Sequence, residues 1–331
     1  MKLNLSTKSI SALVFSVFLL LYAVGVYWSF EPDSLDVRQE VMQATKANNE
    51  AAVVGYTTTT VLIKVAETLL NKPGGYLSND VLPPSVFLDN LPAWEFGVLE
   101  MVRDMALVMR KDLSRSQSQS LVNKHLKEAQ PRFNINNKNW AMPSAEGEYG
   151  KAIKSLYHYR TALVGTDPKD KAQFYARADN LRAYLDEVQK RLGSYSHRLS
   201  SSVGREQVNT DLAGDNQAQQ SSRDLAQLQI KTSWWLIDDV FYESRGAAWA
   251  LLQFLRAIEI DFDSVLENKN ARISLQQIIH ELDASQQGFW SPIVLNGDGF
   301  GVLANHSLVM ANYISRANAA LIDLNELLSK G

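Results

Sequence analysis

Residues 230–262, IKTSWWLIDDVFYESRGAAWALLQFLRAIEIDF, carry the longest of three regular hydrophobic patterns in the chain. Apolar or small side chains recur there at alternating spacings of four and three residues: Ile230, Trp234, Ile237, Phe241, Ser244, Ala248, Leu251, Leu255, Ile258 and Phe262. A period of 3.5 kept over several heptads is typical of long helices that pack at shallow angles. The segment therefore predicts a long helix in a bundle or coiled coil.

The same rhythm recurs in residues 174–199 and again in residues 303–328. Asp167-Pro168 predicts a helix start, because a capping side chain precedes a proline in the first turn. We expect Pro168–Ser202 to pack antiparallel against roughly Ser222–Phe262, with the last helix beside this pair. The predicted fold class is mainly α: an N-terminal transmembrane helix followed by an elongated bundle of long antiparallel helices.

The rest of the chain alternates helical and irregular segments. Val37–Leu70 predicts one long helix or two shorter ones, and residues 93–113 predict another helix after a loop rich in turn formers at 73–92. Residues 131–147 are a possible boundary within the domain, and the polar residues 203–222 predict a mobile connection.

Ile10–Phe30 is a run of twenty-one residues without a charge. As a helix it would be about 31 Å long, which is the hydrocarbon thickness of a bilayer. Lys2 and Lys8 precede the run, whereas acidic residues follow it. Since basic residues stay on the cytoplasmic side, the N-terminus is predicted to be cytoplasmic and the bulk of the chain exported.

This reading divides the chain into a cytoplasmic tail at 1–9, a transmembrane helix at 10–30 and an exported helical domain at 31–331. The alternative is a cleaved signal peptide, with Ala23-Val24-Gly25 as the small-residue cleavage site. A removable apolar region is usually about 7–15 residues long, so the longer run favours a retained anchor.

Composition narrows the function classes. The chain of 331 residues contains no cysteine, which excludes a thiol nucleophile, a thiolate metal site and any disulfide. The formal charge of −3 gives no reason to expect nucleic acid as a partner. Gly297–Gly301, GDGFG, fits neither nucleotide-binding glycine motif, and the five histidines lack zinc spacing. No nucleotide, cofactor, metal or catalytic residue is predicted, and whether the protein is an enzyme stays open.

A second stripe lies about 100° away from the seam of residues 230–262. It consists of Trp235, Asp238, Tyr242, Arg245, Trp249, Leu252, Arg256 and Glu259. Because Trp, Tyr and Arg are enriched in protein interfaces, Trp235, Asp238, Tyr242, Arg245, Trp249 and Arg256 are candidate partner-binding residues. The alternative is that the stripe packs against other parts of its own chain.

A different hypothesis places a polysaccharide or peptidoglycan in a cleft between the loops 73–92 and 288–302. It requires Asp80 or Asp89 to converge with Asp298, since paired carboxylates commonly hydrolyse glycosidic bonds. Asp239 and Glu243, which share a helix face, are further carboxylate candidates, although exposed acidic surface explains them more simply.

Several short words within residues 74–120 resemble a bacterial family known as domain of unknown function 2333. They are GGYLSND at 74–80, LDN at 88–90, WEFG at 94–97 and SRSQSQS at 114–120. The resemblance implies a short cytoplasmic tail, one N-terminal span and an exported helical domain in the envelope of a Gram-negative bacterium. It implies no activity.

These observations lead to one expectation and its alternative. We expect an inner-membrane protein, held in the lipid bilayer by residues 10–30, whose periplasmic helices bind another envelope component as a scaffold or adaptor or self-associate. The alternative is a periplasmic protein that binds or hydrolyses peptidoglycan or polysaccharide through the loops 73–92 and 288–302.

Overall fold

A computed structural model describes residues 7–115, 121–165, 170–207, 228–288, 291, 293–297 and 302–330. Within these residues the chain forms eleven α-helices: α1 (Thr7–Trp28), α2 (Val37–Asn48), α3 (Tyr56–Asn71), α4 (Asn90–Val108), α5 (Lys124–Phe133), α6 (Ala145–Val164), α7 (Ala178–Ser200), α8 (Ile237–Asp261), α9 (Asp263–Asn268), α10 (Arg272–Ser285) and α11 (His306–Ser329). Two three-residue strands, β1 (Arg205–Gln207) and β2 (Leu228–Ile230), pair antiparallel. The mainly helical class is therefore confirmed.

Helix α1 stands apart from the rest. Among the described residues it is the one helix long and apolar enough to cross a membrane, and almost none of it is buried against the protein. Its last turn is closed by Ser29, whose backbone N–H and hydroxyl both donate to the carbonyl oxygen of Gly25. An eight-residue linker, 29–36, follows, and the Asp36 carboxylate caps α2 by accepting from the N–H of Gln39 at 3.0 Å.

The centre of the molecule is a close crossing of α4 and α8. Gly97 lies against the backbone of Glu243 and Ala247, and Gly246 lies against the backbone of Trp94, so that neither position has room for a side chain. Such backbone contact between helices requires residues without a Cβ. The crossing fixes the two helices on which the candidate functional residues lie.

Helix pairing differs from the sequence-based expectation. The main partner of α7 is α11, and the main partner of α8 is α4, whereas α7 and α8 touch only over a small area. The heptad seam of α8 is nevertheless buried from Ile237 to Phe262. Burial is not confined to this seam, since every residue of 244–255 is buried, and the predicted seam residue Trp234 is 74% exposed. The glycines at the crossing determine that α4 covers α8.

The predicted start of α7 is wrong as well. Residues 171–177 are irregular rather than helical, and α7 begins at Ala178; Asp167 and Pro168 lie outside the described residues. The irregular segment is held by backbone hydrogen bonds, including one of 2.7 Å from the N–H of Tyr175 to the carbonyl oxygen of Leu113. Phe174 packs edge-on against Phe262 at 5.8 Å between ring centres. An apolar residue can therefore fit the heptad spacing and reach the core from a segment that is not helical.

Helix α8 also begins later than predicted, at Ile237 after a 3-10 turn, because the chain before that turn forms β2. Of the predicted mobile connection at 203–222, residues 205–207 form β1, and residues 208–222 lie outside the described residues. Val37–Leu70 is divided into α2 and α3, with Asn49 in a left-handed conformation at the break. Buried apolar side chains from Val37 to Leu328 form one continuous core.

Candidate functional site

Arg245 in α8 joins three separate parts of the chain. The side chain is 6% exposed. Its Nε atom donates to both carboxylate oxygens of Glu31, at 2.8 and 2.7 Å. Its Nη atoms donate to the carbonyl oxygens of Ser285, Gln286 and Gln287, at 3.0, 3.0 and 3.1 Å. A cation therefore caps the C-terminus of α10, where the helix dipole is negative, and also binds the linker after α1.

The next turns of α8 hold the rest of the linker. The indole Nε1 of Trp249 donates to the carbonyl oxygen of Asp33 at 3.2 Å. Gln253 and Arg256 both donate to the hydroxyl of Ser34, at 3.0 and 2.7 Å. Because three turns of one helix bind these residues, the linker lies in a fixed position along α8.

The predicted stripe on α8 therefore divides in two. Its C-terminal part, Arg245, Trp249 and Arg256, contacts the chain's own linker. At its N-terminal end Trp235 is 78% exposed, while Asp238 and Tyr242 are half-buried. Burial raises the pKa of Tyr242 to about 12, and the nearby carboxylate of Glu31 acts in the same direction. The open part of the stripe is thus the N-terminal end of α8.

Asp80 and Asp89 line one cleft, of about 560 Å³, between the 77–89 loop and α8. Asp239 and Glu243 of α8 line the same cleft. Burial raises the pKa of Asp239 to about 6, and the negative charges of Asp238, Asp89 and Glu243 add to the shift. Glu243 is held by Arg198, whose two Nη atoms donate to its two carboxylate oxygens at 2.6 Å.

Asp298, the third residue of the predicted carboxylate cleft, lies outside the described residues. Among the residues that the structure describes, α8 lines the cleft opposite Asp80 and Asp89, and no residue of 288–302 does. The described residues of the loops 73–92 and 288–302 therefore do not share this cleft. The convergence with Asp298 stays a prediction.

Sequence reasoning missed Glu95, which organises the loop that carries Asp80. Glu95 is fully buried and forms an ion pair with the equally buried Lys72. Its two carboxylate oxygens accept from the backbone N–H groups of Leu77 and Ser78, both at 2.8 Å. A signal for it existed: Glu95 precedes Val98 by three residues on the apolar seam of α4, where a lone carboxylate must be paired.

Metal binding has no support in the part of the chain that the structure describes. No group of three or more histidine, aspartate or glutamate side chains there is arranged to hold a metal ion. His125 instead contacts Asp170 at 2.9 Å, and its ring stacks on that of His158.

The fold defines a mainly helical protein with one N-terminal apolar helix that fits a membrane anchor or a signal sequence. The chain belongs to the DUF2333 family, described as an uncharacterized protein conserved in bacteria, whose model matches residues 2–331. The resemblance seen at residues 74–120 is thereby confirmed and extends over the whole chain. No curated protein and no solved structure matches.

Proposed function

We propose that this protein is a single-span inner-membrane protein whose periplasmic helical domain binds another envelope component as a scaffold or adaptor. Residues 1–9 remain in the cytoplasm, α1 crosses the bilayer, and residues 31–331 lie in the periplasm. Lys2 and Lys8 before α1, and the acidic residues after it, support this orientation. Self-association is the alternative to a different envelope partner, and it cannot use the heptad seam of α8, because that seam is buried in the chain's own core.

The observation that carries the proposal is the attachment of the linker to α8. Four side chains of one helix bind Glu31, Asp33 and Ser34. This attachment sets the orientation of the domain on its anchor, which a scaffold needs and a freely swinging domain lacks.

The N-terminal end of α8 is the partner surface that we propose. Trp235 is a large exposed aromatic side chain of the kind that dominates binding energy at interfaces. The cleft lined by Asp80, Asp89 and Asp239 lies on the same end of α8. This chemistry suits a partner segment that combines basic and apolar side chains.

The experiment is photocrosslinking in intact cells with a photoreactive residue at Trp235. Ile273 is the matched control, because its side chain is exposed to the same extent, 76% against 78%. We expect a defined protein adduct at 235 and none at 273. Asp80 is exposed, so Asp80→Lys should weaken the adduct without loss of folding. Adducts to lipid or to the same chain alone would contradict the adaptor proposal.

A second candidate function is hydrolysis of an envelope polysaccharide in the same cleft. It is favoured by Asp239, whose pKa of about 6 would let it donate a proton, and by the presence of the Asp89 side chain in the same cleft. The purified protein should then release soluble fragments from peptidoglycan, and Asp239→Asn should abolish the release. No release by the unaltered protein would leave the adaptor proposal alone.

A further inference from the structure

The base of α1 packs against a loop of the exported domain. Gly25, in the last turn of α1, is buried: a methyl group there would lie 3.5 Å from Pro84 Cβ and 3.8 Å from Leu88 Cδ2. Trp28, the last residue of α1, packs against Gly74. Since Gly25 is only about 4.5 Å along the axis from the end of α1, the 81–88 loop lies at the level where an apolar span ends.

This loop is uncharged and exposes apolar side chains. Residues 81–88 read VLPPSVFL, with Asp80 and Asp89 on either side. More than half of each of the following side chains is exposed: Val81, Leu82, Val86 and Phe87. Eight uncharged residues between two carboxylates have the pattern of a segment that dips into an apolar phase and leaves it again.

Two more apolar side chains come from the segment between α5 and α6. Trp140 and Met142 are both more than half exposed. The Asn79 side-chain amide donates to the carbonyl oxygen of Asn139 and to Glu146, both at 2.8 Å, which ties this segment to the loop. Trp28, Val81, Leu82 and Trp140 accordingly line one shared cleft: three separate parts of the chain meet there.

From this arrangement we propose that Val81, Leu82, Val86, Phe87, Trp140 and Met142, the membrane rim, insert into the leaflet from which α1 emerges. The inference rests on the proposed role of α1 as a membrane anchor. The occupant is lipid rather than protein because Trp28, the last residue of α1, lines the same cleft as Val81, Leu82 and Trp140, and Gly25 of α1 packs against Pro84 and Leu88 of the loop. Contiguous exposed apolar surface marks an interaction site, and tryptophan is the side chain enriched at the boundary of head groups and acyl chains.

Burial of six such side chains in lipid gives the domain a second contact with the membrane. Each contributes by removal of apolar area from water. The membrane rim thus holds the exported domain flat against the bilayer, whereas the linker contacts at Arg245 hold it to α1.

Fluorescence quenching tests the membrane rim in the full-length protein. The chain has no cysteine, so single cysteines introduced by Phe87→Cys or Trp140→Cys can carry an environment-sensitive dye. Ile273→Cys is the matched exposed control. It lies about 18 Å along α10 from Ser285, the end of α10 that contacts Arg245. Phe18→Cys, in the middle of α1, reports on the anchor itself. Each variant is placed in nanodiscs of phosphatidylethanolamine and phosphatidylglycerol, with nitroxide-labelled lipid or aqueous iodide as the quencher.

We expect nitroxide lipid to quench the dyes at 87 and 140, with iodide quenching several-fold weaker than at 273. Lipid quenching at 18 combined with iodide quenching at 87 and 140 equal to that at 273 would overturn the membrane rim and leave the anchor standing. Iodide quenching at 18 would overturn the anchor and the rim together. Protection at 87 and 140 from both quenchers would mean that protein covers them, and would overturn the lipid assignment.

Discussion

Replacement of Gly246 by alanine tests the close crossing of α4 and α8. A Cβ atom at Gly246 would overlap the carbonyl oxygen of Trp94 and lie 2.8 Å from its carbonyl carbon. Because these are backbone atoms, no rotamer change relieves the overlap. The helices must separate by roughly 1 Å to restore the distance at which such atoms pack.

Separation of α4 and α8 lowers the free energy of unfolding. Overpacking in a core costs about 1–3 kcal/mol. The upper end applies because the rings of Trp94 and Trp249, 5.2 Å apart at the crossing, lose contact as the helices move. Alanine in a helix interior returns about 1 kcal/mol relative to glycine. The free energy of unfolding should therefore fall by about 2 kcal/mol.

Gly193→Ala is the matched control, since Gly193 lies inside α7 and a Cβ there would meet no atom within 4 Å. The same chemical change should stabilise the protein at this position by about 1 kcal/mol. Urea unfolding of the full chain in detergent micelles, followed by circular dichroism, measures both variants. A gain of stability in both would mean that the backbones of α4 and α8 do not touch, and would refute the reasoning.

Three further substitutions test the linker attachment, the acidic cleft and the buried ion pair. Arg245→Met leaves Glu31 without its cation at a cost of about 3 kcal/mol, so hydrogen exchange at the linker should accelerate about 100-fold. Asp239→Asn should stabilise the protein by about 1–2 kcal/mol at pH 8, after allowance for solvent screening, and hardly at all at pH 4, as unfolding curves would record. Lys72→Met strands the buried carboxylate of Glu95 and should lower the free energy of unfolding by about 3–5 kcal/mol.

The raised pKa of Asp239 makes the free energy of unfolding depend on pH. The folded protein binds the proton more tightly than the unfolded chain, so this stabilisation is present below pH 4 and is lost as the pH rises through about 6. Asparagine at position 239 does not ionise, so the variant keeps this stability as the pH rises. A variant that is equally stabilised at both pH values would contradict the assigned cause.

Arg245→Met and Lys72→Met each have a control variant at a residue in the same group of contacts. Arg256→Met removes a more exposed pair with Asp283 and one hydrogen bond to Ser34, but strands no carboxylate of the linker, and so should change linker exchange far less than Arg245→Met. Adding Glu95→Gln to Lys72→Met should recover much of the lost stability, because the uncompensated charge disappears. Equal effects at Arg245 and Arg256, or no recovery in the double variant, would contradict these assignments.

The sequence predicts the burial of α8 in part and its helix partner poorly. The seam from Ile237 to Phe262 is buried, but Trp234 is exposed, and every face of the helix is buried over residues 244–255. Periodicity cannot identify α4 as the covering helix, since that choice depends on two glycines far apart in the chain, Gly97 and Gly246. Phe174 shows a second limit, because a residue outside any helix can coincide with a helical spacing.

In the candidate site, too, the sequence indicates a contact face but not what that face contacts. Aromatic and charged residues on α8 predict a contact face, and there Arg245 and Trp249 contact the chain's own linker, whereas partner binding stays a prediction. The occupant of that face, the linker around Asp33, offers a backbone carbonyl and short polar side chains, which leave no hydrophobic pattern in the sequence. Glu95 was missed because a single carboxylate on an apolar seam is readily treated as an irregularity.

The attached linker has a consequence for how a partner finds this protein. Eight free residues could reach about 26 Å, enough for the domain to tumble over a hemisphere above its anchor. Attachment of Glu31 and Ser34 to α8 removes that freedom. With α1 in a bilayer, the domain can rotate about the membrane normal but cannot tilt away from the membrane surface. A second membrane protein would then meet it by lateral diffusion, at one height, with only the angle of approach left to match.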